Sequence, residues 1–387
     1  MTDLGAIANR ARLVGIVALL LSIVGAWIAP AQFFRSYLLG WVLWVSVAVG
    51  CLPLIMLQHL TGGAWGLILR RLLEAGAATL PLVAVLFLPL LLGLDDLYLW
   101  ARPEAVERDL ILQHKAPYLN VPFFVARTAL YFGIWIAIAT CLGRWSLEQD
   151  RTGDVALARR MQLFSGPAIG VVGLTGTFAS VDWLMSLDPH WFSTIFGMWF
   201  VAGQALAAFA FAILVLVRLC GDPPFAETLR PSIVHDLGKL LLAFVMVWAY
   251  LSFSQFLIIY SGNLPEEIPY YLDRSRGGWQ WISGALIVFH FLLPFVMLLS
   301  RDLKRDARLL AGVAALVFLM RYVDLLLVIA PSARHEGFLI HWLDLALPIG
   351  LGGIWIAAYL GRLRTNPLMP LHDPYAEETF EHAAAEH

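Results

Sequence analysis

Carboxylates, arginines and histidines stranded in long apolar stretches are the residues of this chain that could do chemistry. A charge at the bilayer centre costs roughly 2.5–3.5 kcal/mol on insertion scales, so such groups are either paired structural elements or working ones. Asp182 stands in FASVDWLMSLDPHW, about one and a half turns from the end of its stretch. Arg321 and Asp324 occupy FLMRYVDLLLVI, three residues apart, a spacing that puts both on one helix face. Two kinds of chemistry suit these three: an ion pair that locks helices, or proton transfer, alone or from a quinol. His341 and Asp344 repeat the three-residue spacing. A carboxylate beside a histidine orients its ring, as a proton relay requires. His290 lies alone near the middle of an apolar stretch, as an interhelical hydrogen-bond donor or a proton carrier. His235 and Lys239, four apart, share a face at the start of another stretch. Lys239 there also reads as a side chain snorkelling to headgroups.

The elements that must position these residues are membrane helices. The chain has 387 residues, 60% hydrophobic and 14% charged, with mean hydropathy +0.76. A soluble domain carries about 25% charge. A helical crossing needs about 20 apolar residues, and ten stretches are long enough: approximately 13–29, 36–59, 76–93, 122–143, 163–187, 192–219, 235–260, 279–300, 307–329 and 339–361. Lipid leaves no backbone polar group unpaired, so each is predicted to be a helix. Pro53, Pro81, Pro89, Pro167, Pro294 and Pro348 fall inside them and are expected to kink them. Arg10 and Arg12 precede the first stretch, which is longer than the apolar core of a secretory leader and is read as a membrane helix. The first 365 residues form the transmembrane domain on this reading, and 366–387 an acidic tail.

Most of the 26 Lys and Arg lie on the side holding both ends of the chain and the segments 60–75, 144–162, 218–234 and 301–306. Positive charge stays inside, so both termini are expected in the cytoplasm. Residues 66–75 (GLILRRLLEA) read as an amphipathic helix at the inner interface. The opposite side carries two long loops: 94–121, rich in acidic residues, and 261–278, rich in turn formers and aromatics. Each is either solvated or a docking surface for an extrinsic partner. Gly166, Gly170, Gly173 and Gly176 are expected to permit close helix packing. Net charge is −2, which gives no basic field for nucleic acid. Cys51, Cys141 and Cys220 are far apart, with no metal or haem c spacing, and read as packing residues. Haem b at His290 needs a second facing ligand, and the spans offer no clear one. No metal is expected in this chain.

Val181-Asp182-Trp183-Leu184 aligns with Val323-Asp324-Leu325-Leu326 at an offset of 142 residues. Two parallel repeats of four helices, 2–5 and 6–9, would generate this, and membrane repeats place sites at equivalent depth in each half.

SVDWLMSLDPHWFSTIFGMW (180–199), LLLAFVMVWAYLSFSQFLIIYSGNLPEEIPYYL (240–272), QHLTGGAWG (58–66) and PLMPLHDPY (367–375) resemble motifs of the F subunit of bacterial alternative complex III. That family is related to the NrfD-type membrane subunit of polysulfide reductase. The resemblance runs from about residue 33 to 376. It implies an all-α fold of ten transmembrane helices, two four-helix bundles (helices 2–5 and 6–9) flanked by helices 1 and 10, in the bacterial inner membrane. It implies a quinol-oxidising respiratory complex whose iron–sulfur clusters and haem c sit in partner subunits. Those partners are an NrfD-like sister subunit, an iron–sulfur subunit and multihaem cytochromes c. This subunit would hold no redox centre, with quinone or quinol as a candidate ligand and proton conduction as a candidate role. The motifs carry over Asp182, His190, Arg321 and Asp324 as proton-path or quinone-pocket residues. Three alternatives stand beside this reading. One is a catalytic quinol site walled by Trp183, Phe178 and Tyr322. The others are a secondary transporter and a structural scaffold.

Overall fold

The computed structural model describes residues 2–332, 337–370, 372, 373 and 376. The chain is an all-α, multi-pass membrane protein. Among the described residues, ten helical stretches are long and apolar enough to cross a bilayer: span 1 (Leu4–Ile28), span 2 (Pro30–Thr61), span 3 (Ala64–Leu97), span 4 (Val121–Thr152), span 5 (Val155–Leu187), span 6 (Phe196–Leu219), span 7 (Pro231–Gly262), span 8 (Trp279–Leu299), span 9 (Ala307–Ile329) and span 10 (Trp342–Thr365). Ten crossings put the start of span 1 and the end of span 10 at one face, called here the termini face; the opposite one is the far face.

Local chemistry sets the starts. Asp3, Asn120, Asp154 and Asp306 accept backbone N–H groups in the first turns of spans 1, 4, 5 and 9, the donors a helix leaves unpaired. Spans 2, 4 and 7 carry proline in the first turn, where its missing N–H costs nothing. The two halves pack alike. Spans 3 and 5 lie on span 2, and span 4 on span 5; spans 7 and 9 lie on span 6, and span 8 on span 9. Spans 2 and 6 join the halves, span 10 lies on span 2, and span 1 lies on span 10.

Prolines act unequally. Spans 2, 5 and 10 stay helical through Pro53, Pro167 and Pro348. Span 3 breaks at Pro81 and Pro89 into Ala64–Ala77, Leu80–Val85, a 3-10 segment Leu88–Gly93 and Leu94–Leu97. The N–H of Phe87 turns to the Ala84 carbonyl, and the Val83 carbonyl instead accepts the Trp41 indole at 2.9 Å. In span 8, π-helical turns over Leu286–Leu292 directly precede Pro294, a widening that accommodates the ring.

Residues 66–75 do not present an exposed apolar face; Leu67 to Leu73 are all buried against the protein and open span 3. Arg70 and Arg71 enter the interior because each has a carboxylate: Asp373 for Arg70, Glu74 and Asp150 for Arg71. Two described residues of the acidic tail meet the bundle: Asp373 holds Arg70 at 2.5 Å and the His372 ring meets the Asp150 carbonyl at 2.8 Å; residues 377–387 lie outside the described residues. Of the four glycines of span 5, Gly166, Gly170 and Gly173 face open space, while a Cβ on Gly176 would meet Val201 Cγ2 of span 6 at 2.9 Å. Close helix approach also occurs between spans 1 and 10, where a Cβ on Gly15 would meet the Gly350 carbonyl at 2.9 Å.

Candidate functional site

Both repeat-related aspartates are buried near the far face, in different surroundings. Asp182, 0% exposed, receives three hydrogen bonds from span 4. Arg127 donates through Nε at 2.9 Å and Nη2 at 2.8 Å, and the Tyr131 hydroxyl at 2.8 Å. Arg127 is itself satisfied: Nη1 donates to the Tyr118 carbonyl at 2.9 Å, and the guanidinium lies 3.8 Å from the Tyr118 ring centroid and 4.2 Å from that of Phe123. Bidentate pairing with a further donor leaves this carboxylate well solvated by protein. Trp183, the next residue, fills an aromatic cage with Trp41 (4.7 Å between centroids), Phe132 (5.9 Å) and Trp135 (5.9 Å).

Asp324 sits in the second half with fewer donors. Its Oδ2 accepts both Arg321 Nη1 and the Trp248 indole, the latter at 3.0 Å. Arg321 is 0% exposed, and its Nε and Nη2 have no hydrogen-bond partner. The guanidinium lies over Gly203 of span 6, where a Cβ would come within 2.5 Å of its carbon. His290, in the π-helical part of span 8, is 0% exposed, and neither ring nitrogen has a partner. Its ring packs on Trp248 at 4.0 Å, within electrostatic reach of Arg321. Spans 6, 7, 8 and 9 thus converge on Arg321, Asp324, Trp248 and His290, and four buried nitrogens there are unpaired. Buried polar atoms are overwhelmingly paired with protein or ordered water, so this cluster has capacity for water or an exchangeable proton; at the Asp182 site one atom, the Tyr118 hydroxyl, is likewise buried without a partner.

The other expected residues lie apart. His341 and Asp344 do meet, but not as a ring–carboxylate relay. They form the capping box of span 10: Asp344 Oδ2 accepts the His341 backbone N–H at 2.9 Å, and His341 Nδ1 accepts the Leu343 N–H at 3.3 Å. Asp344 Oδ1 accepts Ser36 Oγ at 2.7 Å and Gln32 Nε2 at 3.0 Å, which fastens span 10 to span 2. His190 is outside the bundle, 2.6 Å from Asp109 of the 94–121 loop. That hydrogen bond, with those from Leu112 and Ile111, holds the Asp109 carboxyl below its ordinary range. Lys239 pairs with Asp236 at 3.0 Å rather than turning to His235, whose Nδ1 has no partner. The walls expected of a quinol pocket do not converge: Trp183 is inside its cage, Phe178 is 44% exposed, and the Tyr322 hydroxyl donates to the Asp344 carbonyl at 2.8 Å.

Arg127, Tyr131, Trp248 and Gly203 complete the two sites and are not evident from spacing. Only Arg127 carried a signal, as a lone cation at the depth of a lone Asp182. Arg274 of the 261–278 loop closes the far end of span 9 by donating to the Leu327 and Val328 carbonyls at 3.0 and 2.9 Å. Among the described residues, no three His, Cys, Asp or Glu gather as a metal site would require. The chain matches no protein-family model and no curated protein.

Proposed function

We propose that this chain is an integral membrane subunit of a quinol-oxidising respiratory complex, without a redox centre of its own, and that Arg321, Asp324 and His290 handle protons within it. The complex resides in the bacterial inner membrane with both termini of this subunit in the cytoplasm. One observation carries the proton role: a buried Arg–Asp pair beside a histidine with no hydrogen-bond partner, in the π-helical turn of a span. Such turns frequently mark functional sites, and a membrane-buried charge with unmet donors is costly to keep without a use. The quinol assignment rests on the four motifs and on the repeated packing of spans 2–5 and 6–9. Asp182 has a different part, holding spans 4 and 5 together.

The test is affinity purification of the tagged chain from its native membrane in mild detergent. The reading expects co-purifying c-type haem by reduced-minus-oxidised absorbance, with non-haem iron in constant ratio to the chain. A chain that purifies alone and moves solutes in liposomes would instead be a transporter.

A further inference from the structure

A cavity of about 360 Å³ opens at the termini face, between spans 2, 3 and 5. Two segments that the proton reading leaves unused supply much of it: Gln58 to Gly63 of QHLTGGAWG, and Asp373 of PLMPLHDPY. Arg70 and Arg159 also line it. Arg70 is 2% exposed. Its Nε donates to Gln58 Oε1 at 3.2 Å and its Nη2 to Asp373 Oδ2 at 2.5 Å. Its Nη1 is buried with no hydrogen-bond partner, and so is His59 Nε2. Arg159, at the other wall, is exposed and forms no ion pair among the described residues.

Two arginines therefore line a cavity that holds one carboxylate among the described residues, and two buried nitrogens lack partners. That is the donor surplus of an anion site. Arginine forks suit the oxygens of a phosphate, whose several acceptors bridge donors a single carboxylate cannot reach. The cavity lies where spans end, the depth at which basic pockets between helices meet headgroups. We propose that it binds a phosphate group, the phosphodiester of an anionic lipid or inorganic phosphate, through Arg70 and Arg159, with Asp373 of the tail as its internal competitor. The Asp373 carboxylate neutralises part of Arg70, so its removal strengthens binding.

The full-length chain, delipidated in detergent, is titrated with phosphatidylglycerol, inorganic phosphate and diacylglycerol, with thermal unfolding as the readout. A saturable upward shift with phosphatidylglycerol alone supports the lipid source. The same shift with inorganic phosphate supports the free anion. In either case Arg159→Gln weakens binding about tenfold, the scale of one charge-assisted contact, and Asp373→Asn tightens it. Arg159 is exposed and Asp373→Asn is a gain of affinity, so a folding defect imitates neither result. No saturable shift, an equal shift with diacylglycerol, or affinities unchanged in both variants would overturn the proposal.

Discussion

Removing Arg127 should cost more than any other single change in the first half of the bundle. The Asp182 carboxylate, 0% exposed, would lose the donors at 2.9 and 2.8 Å and keep only Tyr131 at 2.8 Å. Breaking one partner out of a buried pair costs about 3–5 kcal/mol, because an uncompensated charge stays behind. Arg127→Met, which keeps the length of the side chain, should fall in that range. Asp182→Asn should cost less, about 1–3 kcal/mol, since Arg127 retains the Tyr118 carbonyl and two aromatic faces. The double variant Arg127→Met, Asp182→Leu removes both charges and their desolvation, so it should be more stable than Arg127→Met alone. The assay is reversible unfolding by steric trapping in bicelles, read as a double-mutant cycle. Strict additivity, or an Arg127→Met cost below about 1 kcal/mol, would show that the pair is not a lock.

Three further outcomes follow from the geometry. His290→Phe keeps the ring packing on Trp248 and removes two unpaired buried nitrogens, so thermal stability should hold or rise by about 1 kcal/mol, while proton release per electron falls; a large loss of stability would mean the ring is bonded. Gly203→Ala would drive a methyl into the Arg321 guanidinium and should destabilise the bundle by about 1–3 kcal/mol, as read by thermal unfolding; an unchanged midpoint would contradict the close contact. The Asp109–His190 contact should be lost on acidification: Asp109 is held low in the folded chain, so its contribution is present above the ordinary carboxylate value and vanishes as pH falls through the lowered one, below about pH 4. Hydrogen exchange over 103–115 should quicken there, and His190→Ala should remove the transition.

How far the sequence could be read depended on where each partner lies along the chain. Arg321 and Asp324 are three apart on one helix, and their pairing was legible from spacing alone. Arg127 and Asp182 are 55 apart, on different spans, and local spacing cannot join them; matching a lone cation to a lone carboxylate at equal depth would have done so. The partners of Arg70 and Arg71 were hidden for the same reason. Two arginines in an apolar run look exposed until Asp150 and Asp373, far away in sequence, are seen to meet them. His341 and Asp344 show the reverse: the spacing was right, but at a helix start it specifies a cap before it specifies a relay. The ten spans were legible because lipid demands length and apolarity, while the early start of span 3 was hidden by its own paired charges.

The claim that the second half handles protons while the first half is a lock is tested most directly by comparing Asp324→Asn with Asp182→Asn in the purified complex. Protons released per electron, measured under quinol turnover after reconstitution, are the readout. The account predicts an assembled Asp324→Asn complex with reduced proton release, and an Asp182→Asn complex whose loss is in assembly yield with a normal ratio in what assembles. An unchanged ratio in fully assembled Asp324→Asn would contradict it.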